Sequence, residues 1–197
     1  KLDGILSLLL DLKPKNIGFE SLSLTFSFHR SLFEKLPKEG KLIPLEDELK
    51  NLRAAKDPQE LTLIQRAIDI SSKAFLHILE TLKEGVFERE GALEMEFFMK
   101  KNGAEALGFD IIIASGTRSA LPHGRASDKR IGKGDFVLID FGSGFRGYHS
   151  DQTRTVVCGK PSPEQEKVYQ VVKEAHDKAI EKVRPGIPIG EVDAAAR

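Results

Sequence analysis

The sequence predicts an α+β protein whose helices pack on an antiparallel sheet. Three observations predict it. Two long helical patterns come first instead of alternating with strands. The later strands are joined by turns and loops with no crossover helix between them. A composition of 40% hydrophobic and 30% charged residues is that of a folded chain. At 197 residues there is room for one domain of ordinary size, or for one domain and part of another.

The first fifty residues read as a short α/β piece. NIGFE (Asn16 to Glu20) is a brief strand, and SLTFSFHRSLFEKL (Ser23 to Leu36) is a helix with apolar residues at roughly helical intervals. PKEGK breaks the pattern, and LIPLEDELKNLRAAKDP reads as a connection to a new unit. Residues 1–52 are too few for a comfortable core, so they are expected to be the C-terminal remnant of an N-terminal α/β domain plus linker. Residues 53–197 form the second unit.

That unit opens at Asp57, which caps a helix with Pro58 in its first position and Glu60 in its third. Leu61, Ile64, Ile68, Phe75, Leu79 and Leu82 give one buried stripe, and Gly85 closes the element. A second helix covers Glu88 to Lys101, with Leu93, Phe97 and Met99 apolar, and ends at Gly103. FDIIIASG (Phe109 to Gly116) is a β-branched strand, followed by a long polar loop through Asp135. FVLIDFG and QTRTVVCG are strands, Pro163 to Val183 is an amphipathic helix, and IGEVDAAAR begins another.

Thirty basic and thirty acidic residues cancel, which recommends neither a nucleic-acid nor a membrane partner. The apolar run Ile5 to Leu10 is too short to span a bilayer and lacks the layout of a secretory signal. The single cysteine, Cys158, permits no internal disulfide and no thiolate metal cluster, and reads as a small buried hydrophobe. A reduced, cytoplasmic setting is expected.

The stretch FVLIDFGSGFRGYHSDQTRT (136–155) carries the chemistry. Gly142, Gly144 and Gly147 spell a dinucleotide fingerprint, but that motif needs a helix next, and Thr153, Thr155, Val156 and Val157 beyond it are β-branched. The glycines are therefore turn residues. A tight turn centred between Phe145 and Arg146 sets Asp140 directly opposite Asp151, about 5 Å apart at Cβ. Two carboxylates at that range repel unless one is protonated or a cation lies between them. Divalent ions bridged by the pair resolve the repulsion. The alternative is that Asp140 caps the turn while Asp151 is solvated or pairs with Arg154. Oxygen ligands favour manganese, cobalt or magnesium. Candidates for further ligands within the chain are His149, His123, His176 and glutamates on the last helix, whereas His29 and His77 read as packing or surface residues. His123 stands apart because SALPHGRAS places it by backbone, between a proline and a glycine, where an imidazole moves protons or holds a carbonyl.

The stretch SGTRSALPHGRASDKRIGKGDFVLIDFGSGFRGYHSDQTRT resembles the core signature of the creatinase/prolidase-type metallopeptidases, the pita-bread fold, and in particular Xaa-Pro aminopeptidases and prolidases. LRAAKDPQELTLIQRAIDIS is similar to the start of their catalytic domain, and the first fifty residues resemble the end of their smaller N-terminal domain. The resemblance implies the first half of a pita-bread domain, with Asp140 and Asp151 as the first two metal ligands, one of them bridging. It implies that His123 contacts substrate and assists proton transfer. Two divalent ions, manganese or cobalt with zinc or iron as alternatives, would activate water to cleave the bond between an N-terminal residue and a following proline. The full-length protein would be a homodimer. The resemblance implies that the remaining ligands, a histidine and two glutamates, would lie beyond Arg197, so residues 1–197 alone are expected to be inactive. Two rival readings on the same fold are a creatinase-like, metal-independent amidinohydrolase and a non-catalytic protein-binding module. Retained Asp140 and Asp151 argue against both.

Overall fold

A parallel strand pair and an antiparallel hairpin system occupy two separate compact units, Lys1–Gln59 and Glu60–Arg197. The computed structural model of the protein describes residues 2–37 and 40–197. In the first unit α1 (Leu2–Leu12) precedes β1 (Asn16–Glu20), α2 (Phe26–Lys35), β2 (Lys41–Leu45) and α3 (Glu48–Ala54). β1 and β2 run parallel, in register from Asn16↔Lys41 to Glu20↔Leu45, with α2 as the crossover that parallel strands require. Thr25 starts α2 by accepting a hydrogen bond from the Phe28 N–H at 3.3 Å. Leu6 and Leu32 supply the buried apolar side chains of this small core.

The segment expected to be a mere connection therefore holds a strand and a helix. Pro44 obscures the strand, since it cannot donate to a ladder. A two-stranded sheet has only edges, where proline is tolerated. Part of the break expected at PKEGK lies outside the described residues, at 38 and 39.

The second unit takes its helices first: α4 (Pro58–Thr81) and α5 (Glu88–Lys101). Asp57 caps α4 as expected, its Oδ1 accepting from the Gln59 N–H at 2.8 Å. The buried stripe of α4 differs from the expected one. Ala67, Ile70, Ala74 and Ile78 face the sheet, while Leu61 and Leu79 are 55% and 43% exposed. Apolar residues surround more than one face of this helix, so the pattern fits two phases. The small residues decide, because alanines let the helix approach the sheet closely. α5 behaves likewise, burying Met95 and Met99 and leaving Leu93 and Phe97 on the outside.

Strands β3 (Ala106–Leu107), β4 (Ile112–Ser115), β5 (Phe136–Phe141), β6 (Ser143–Phe145), β7 (Tyr148–His149) and β8 (Gln152–Val157) come next, then α6 (Pro163–Lys182) and α7 (Ile189–Ala196). They form two three-stranded antiparallel sheets, ordered β4-β5-β8 and β3-β6-β7. Val137, Ile139 and Phe141 turn one face of β5 into the helix-covered core, against Ile113, Ile70 and Met95. Phe136, Leu138 and Asp140 alternate onto the other face and are half-buried.

One hairpin, 136–157, belongs to both sheets. Its turn residues are Arg146 and Gly147, both in the left-handed region at φ 48° and 81°. That is the two-residue geometry matching the twist of a hairpin. The turn is thus centred one residue later than expected and every pair shifts by two: Asp140 faces Thr153, not Asp151. A shift of two preserves the faces, so only the opposition changes.

The hairpin passes from one sheet to the other at Gly142. A Cβ there would lie 2.0 Å from the carbonyl oxygen of Ser150. The bend therefore excludes every side chain, and no rotamer change relieves a clash with backbone. Gly142→Ala is expected to destabilise the protein by about 3 kcal/mol, the upper end of the usual cost of overpacking. Denaturant unfolding measures it, and a loss below about 0.5 kcal/mol would contradict a bend this close.

Candidate metal centre and its flanking loop

The bend is fastened to α4 by three buried serines. Ser150 shares a 2.7 Å hydrogen bond with Ser71, and its Oγ accepts from the Ser143 N–H at 3.0 Å. Ser71 and Ser143 donate to the Ala67 carbonyl at 2.9 and 2.8 Å. Every hydroxyl is satisfied, so the cluster is rigid rather than costly. The bend is thereby fixed beside Asp140, the last residue but one of β5, and Asp151, which directly precedes β8.

Asp151 stands two residues before Thr153, the partner of Asp140, and so occupies the diagonal position on the ladder. Diagonal neighbours lie about 7–8 Å apart at Cα, within the span of two carboxylates sharing ions. Asp151 is exposed. Asp140 is not free to follow it into water: its Oδ1 is buried with no hydrogen-bond partner among the described residues. The alternative that this carboxylate caps the turn therefore gains no support from Oδ1. An oxygen acceptor left dry at the mouth of a sheet, with a second carboxylate one pleat away, fits a divalent cation. No cluster of three or more histidine, cysteine or acidic side chains suited to a metal exists among the described residues.

His123 lies in a tight turn closed by the Gly124 N–H donating to the Leu121 carbonyl at 3.2 Å, with Pro122 ahead of it. Its side chain is exposed. Gly124 settles which face of the sheet the turn covers. A Cβ on it would meet Ala114 Cβ at 3.4 Å. Ala114 pairs with Leu138, and Ile112 with Asp140, so Gly124 rests on the face that carries Asp140. The other histidines stay apart. His149 is exposed in β7, His176 is hydrogen-bonded to Asp177, and His29 stacks near Phe33. His77, read as a packing or surface residue, bonds Glu94 at 2.5 Å and stacks on Phe98. Cys158 borders the core, and burial, with the charges of Glu84 and Asp135, raises its thiol above the usual range.

The largest feature missed in the sequence is Glu88, the first residue of α5, which is fully buried. Its Oε1 accepts from the Ser115 N–H and hydroxyl at 2.8 and 2.9 Å. Its Oε2 accepts from the Ser127 hydroxyl at 2.6 Å, and from the Ser127 N–H and Arg118 Nε at 3.2 Å each. Burial alone raises its pKa, but the hydrogen bonds from Ser127 and Ser115 and the charge of Arg118 together outweigh burial and hold it below the ordinary glutamate value. In sequence Glu88 is indistinguishable from the acids common in a first helical turn.

A profile of metallopeptidase family M24 matches residues 62–197. The chain is 46% identical over 184 residues to a Xaa-Pro dipeptidase of Pyrococcus horikoshii, covering 93% of this chain and 52% of that protein. Among solved structures, it resembles an X-Pro aminopeptidase from Thermotoga maritima with a TM-score of 0.91 at 39% identity, covering 99% of this chain and 55% of that one. It likewise resembles the prolidase from Pyrococcus furiosus, with a TM-score of 0.87 at 43% identity, over the whole chain and 57% of that one. The fold is the pita-bread fold of these metallopeptidases. The chain belongs to metallopeptidase family M24. It spans about half the length of the curated relatives it matches. No helix among the described residues is long and apolar enough to cross a membrane.

A depressed folded-state pKa stabilises above the unfolded value, and that contribution is lost as pH falls through the lower folded value. Denaturant midpoints measured from neutral pH downward are expected to fall below about pH 4.5. Glu88→Gln should remove part of that acid limb while lowering stability at neutral pH. An unchanged acid limb would contradict the charged state of Glu88.

Proposed function

We propose that this chain, within a protein of the length of its relatives, hydrolyses the bond between an N-terminal residue and a following proline. The observation that carries the reading is the dry Oδ1 of Asp140, without a hydrogen-bond partner among the described residues, on the sheet face against which the His123 turn rests. Asp140 and Asp151 would hold divalent metal, two ions by the family resemblance, with manganese or cobalt suited to oxygen ligands. Divalent metal held by these residues would supply Lewis-acid activation of water at neutral pH.

The remaining work belongs to the chain's own groups. Proline leaves as a secondary amine whose nitrogen must gain a proton, and His123, presented by a proline-preceded turn, is the group proposed to pass it. Its exposed ring also suits a contact with the substrate carbonyl. Residues 1–52 would close a smaller α/β domain, and 53–197 would form the N-terminal half of the peptidase domain. The homodimer and the cytoplasmic setting belong to the same reading, supported by the resemblance and by the unremarkable charge and single cysteine. The two aspartates, present and adjacent on one hairpin, favour this chemistry over an amidine hydrolysis that has no use for them.

Asp140→Asn keeps shape and removes charge. In the full-length protein it is expected to lower kcat/KM on Ala-Pro by about a hundredfold or more and to reduce bound manganese, with the melting temperature kept or raised. Hydrolysis and metal content both equal to the unsubstituted protein would overturn the assignment.

A further inference from the structure

We infer that Glu88 is a positioning residue for His123, acting through the loop that joins β4 to β5. The inference rests on the role proposed above for His123 and adds to it the group that fixes that residue's place.

The loop leaves the sheet at Ser115 and wraps around the edge strand β4. Ser115 pairs with Val137 and thus lies on the helix-covered face, whereas Gly124 rests on the opposite face, against Ala114. The chain must cross the edge of the sheet to set the His123 turn, through Gly124, on the face that carries Asp140, and must then return. Glu88 holds both legs of that crossing. One carboxylate oxygen takes both donors of Ser115, on the outgoing leg; the other takes both donors of Ser127, on the returning leg. Arg118 adds a third attachment, giving its Nε to Glu88 at 3.2 Å and its Nη2 to the Arg125 carbonyl at 2.7 Å, across the base of the His123 turn. Lys129 extends the clasp, donating to the Ser115 hydroxyl at 2.8 Å and to Asp135 at 2.6 Å.

A fully buried charge with five donors is costly to build and rigid once built. An apolar side chain fills a helix start as well, but it would leave the Ser115 and Ser127 amides and Arg118 without this acceptor, so the charge serves the loop and not the helix. What the carboxylate adds is convergence: five donors from three loop residues meet on two atoms. Packing alone does not specify the height of the His123 turn above the sheet so closely. The misplacement cost for a reacting group is steep, about a hundredfold for 1 Å.

The test is a double-mutant cycle in the full-length protein on Ala-Pro, with unsubstituted protein, Glu88→Gln, His123→Ala and the double variant. Each is verified folded at the assay temperature and assayed for metal. Glu88→Gln is expected to lower kcat about tenfold, leaving KM and metal content within about twofold. In the His123→Ala background the same substitution is expected to cost less than about twofold. Equal losses in both backgrounds, or no loss in the first, would overturn the inference while leaving the peptidase reading intact. A His123→Ala protein as active as the unsubstituted one would instead overturn the role of His123 and this inference with it. Should Glu88→Gln fail to fold, Ser127→Ala removes one donor from the returning leg and enters the same cycle. Its expected loss is about threefold, again absent without His123.

Discussion

A carboxylate taken out of water must be met either by donors or by a cation, and two carboxylates in this protein meet that requirement in opposite ways. Glu88 is surrounded by five donors and is thereby kept ionised at full burial. Asp140 has an equally dry Oδ1 with no donor among the described residues. The two stand on opposite sides of one three-stranded sheet, separated by the thickness of β4 and β5. The donor-rich side is finished as a structural joint. The donor-poor side is left with a demand that the described residues do not meet.

Geometry around Asp140 depends on a second constraint, the bend at Gly142. A hairpin that changes sheets must tilt sharply within one residue pair. It does so where a glycine faces a backbone carbonyl too closely for any Cβ. The serine cluster of Ser71, Ser143 and Ser150 then binds the bend to α4, a helix buried along Ala67, Ile70, Ala74 and Ile78. The acidic pair flanks this fastened bend, and carboxylates held so need little reorganisation to meet a cation.

Much of this is legible in the sequence, and the failures have physical causes. The two helices of the second unit, the alternation along FVLIDF and the strands that follow the glycines all come from local pattern. The expected pairing of Asp140 is off by two residues because Gly144-Phe145-Arg146-Gly147 offers two possible turn centres. Only the left-handed conformation of Arg146, a non-glycine residue, selects between them. Leu61, Leu79, Leu93 and Phe97 read as core when hydrophobicity is weighed above fit, whereas the sheet is met by alanine and serine. Glu88 is invisible because its donors lie 27 to 39 residues ahead in sequence. No local rule connects a first-turn acid to two serines that distant. His123 is legible for the opposite reason: its proline and glycine neighbours fix its turn locally.

On the proposed reading, the dry Oδ1 of Asp140 is completed by a metal. Anomalous diffraction from manganese-loaded crystals of the full-length protein tests this most directly. A peak is expected within about 2.0–2.6 Å of Asp140 Oδ1, with a carboxylate oxygen of Asp151 on the same ion or on its immediate neighbour. Peaks confined to other parts of the molecule, with Oδ1 of Asp140 bonded to a protein donor, would contradict it.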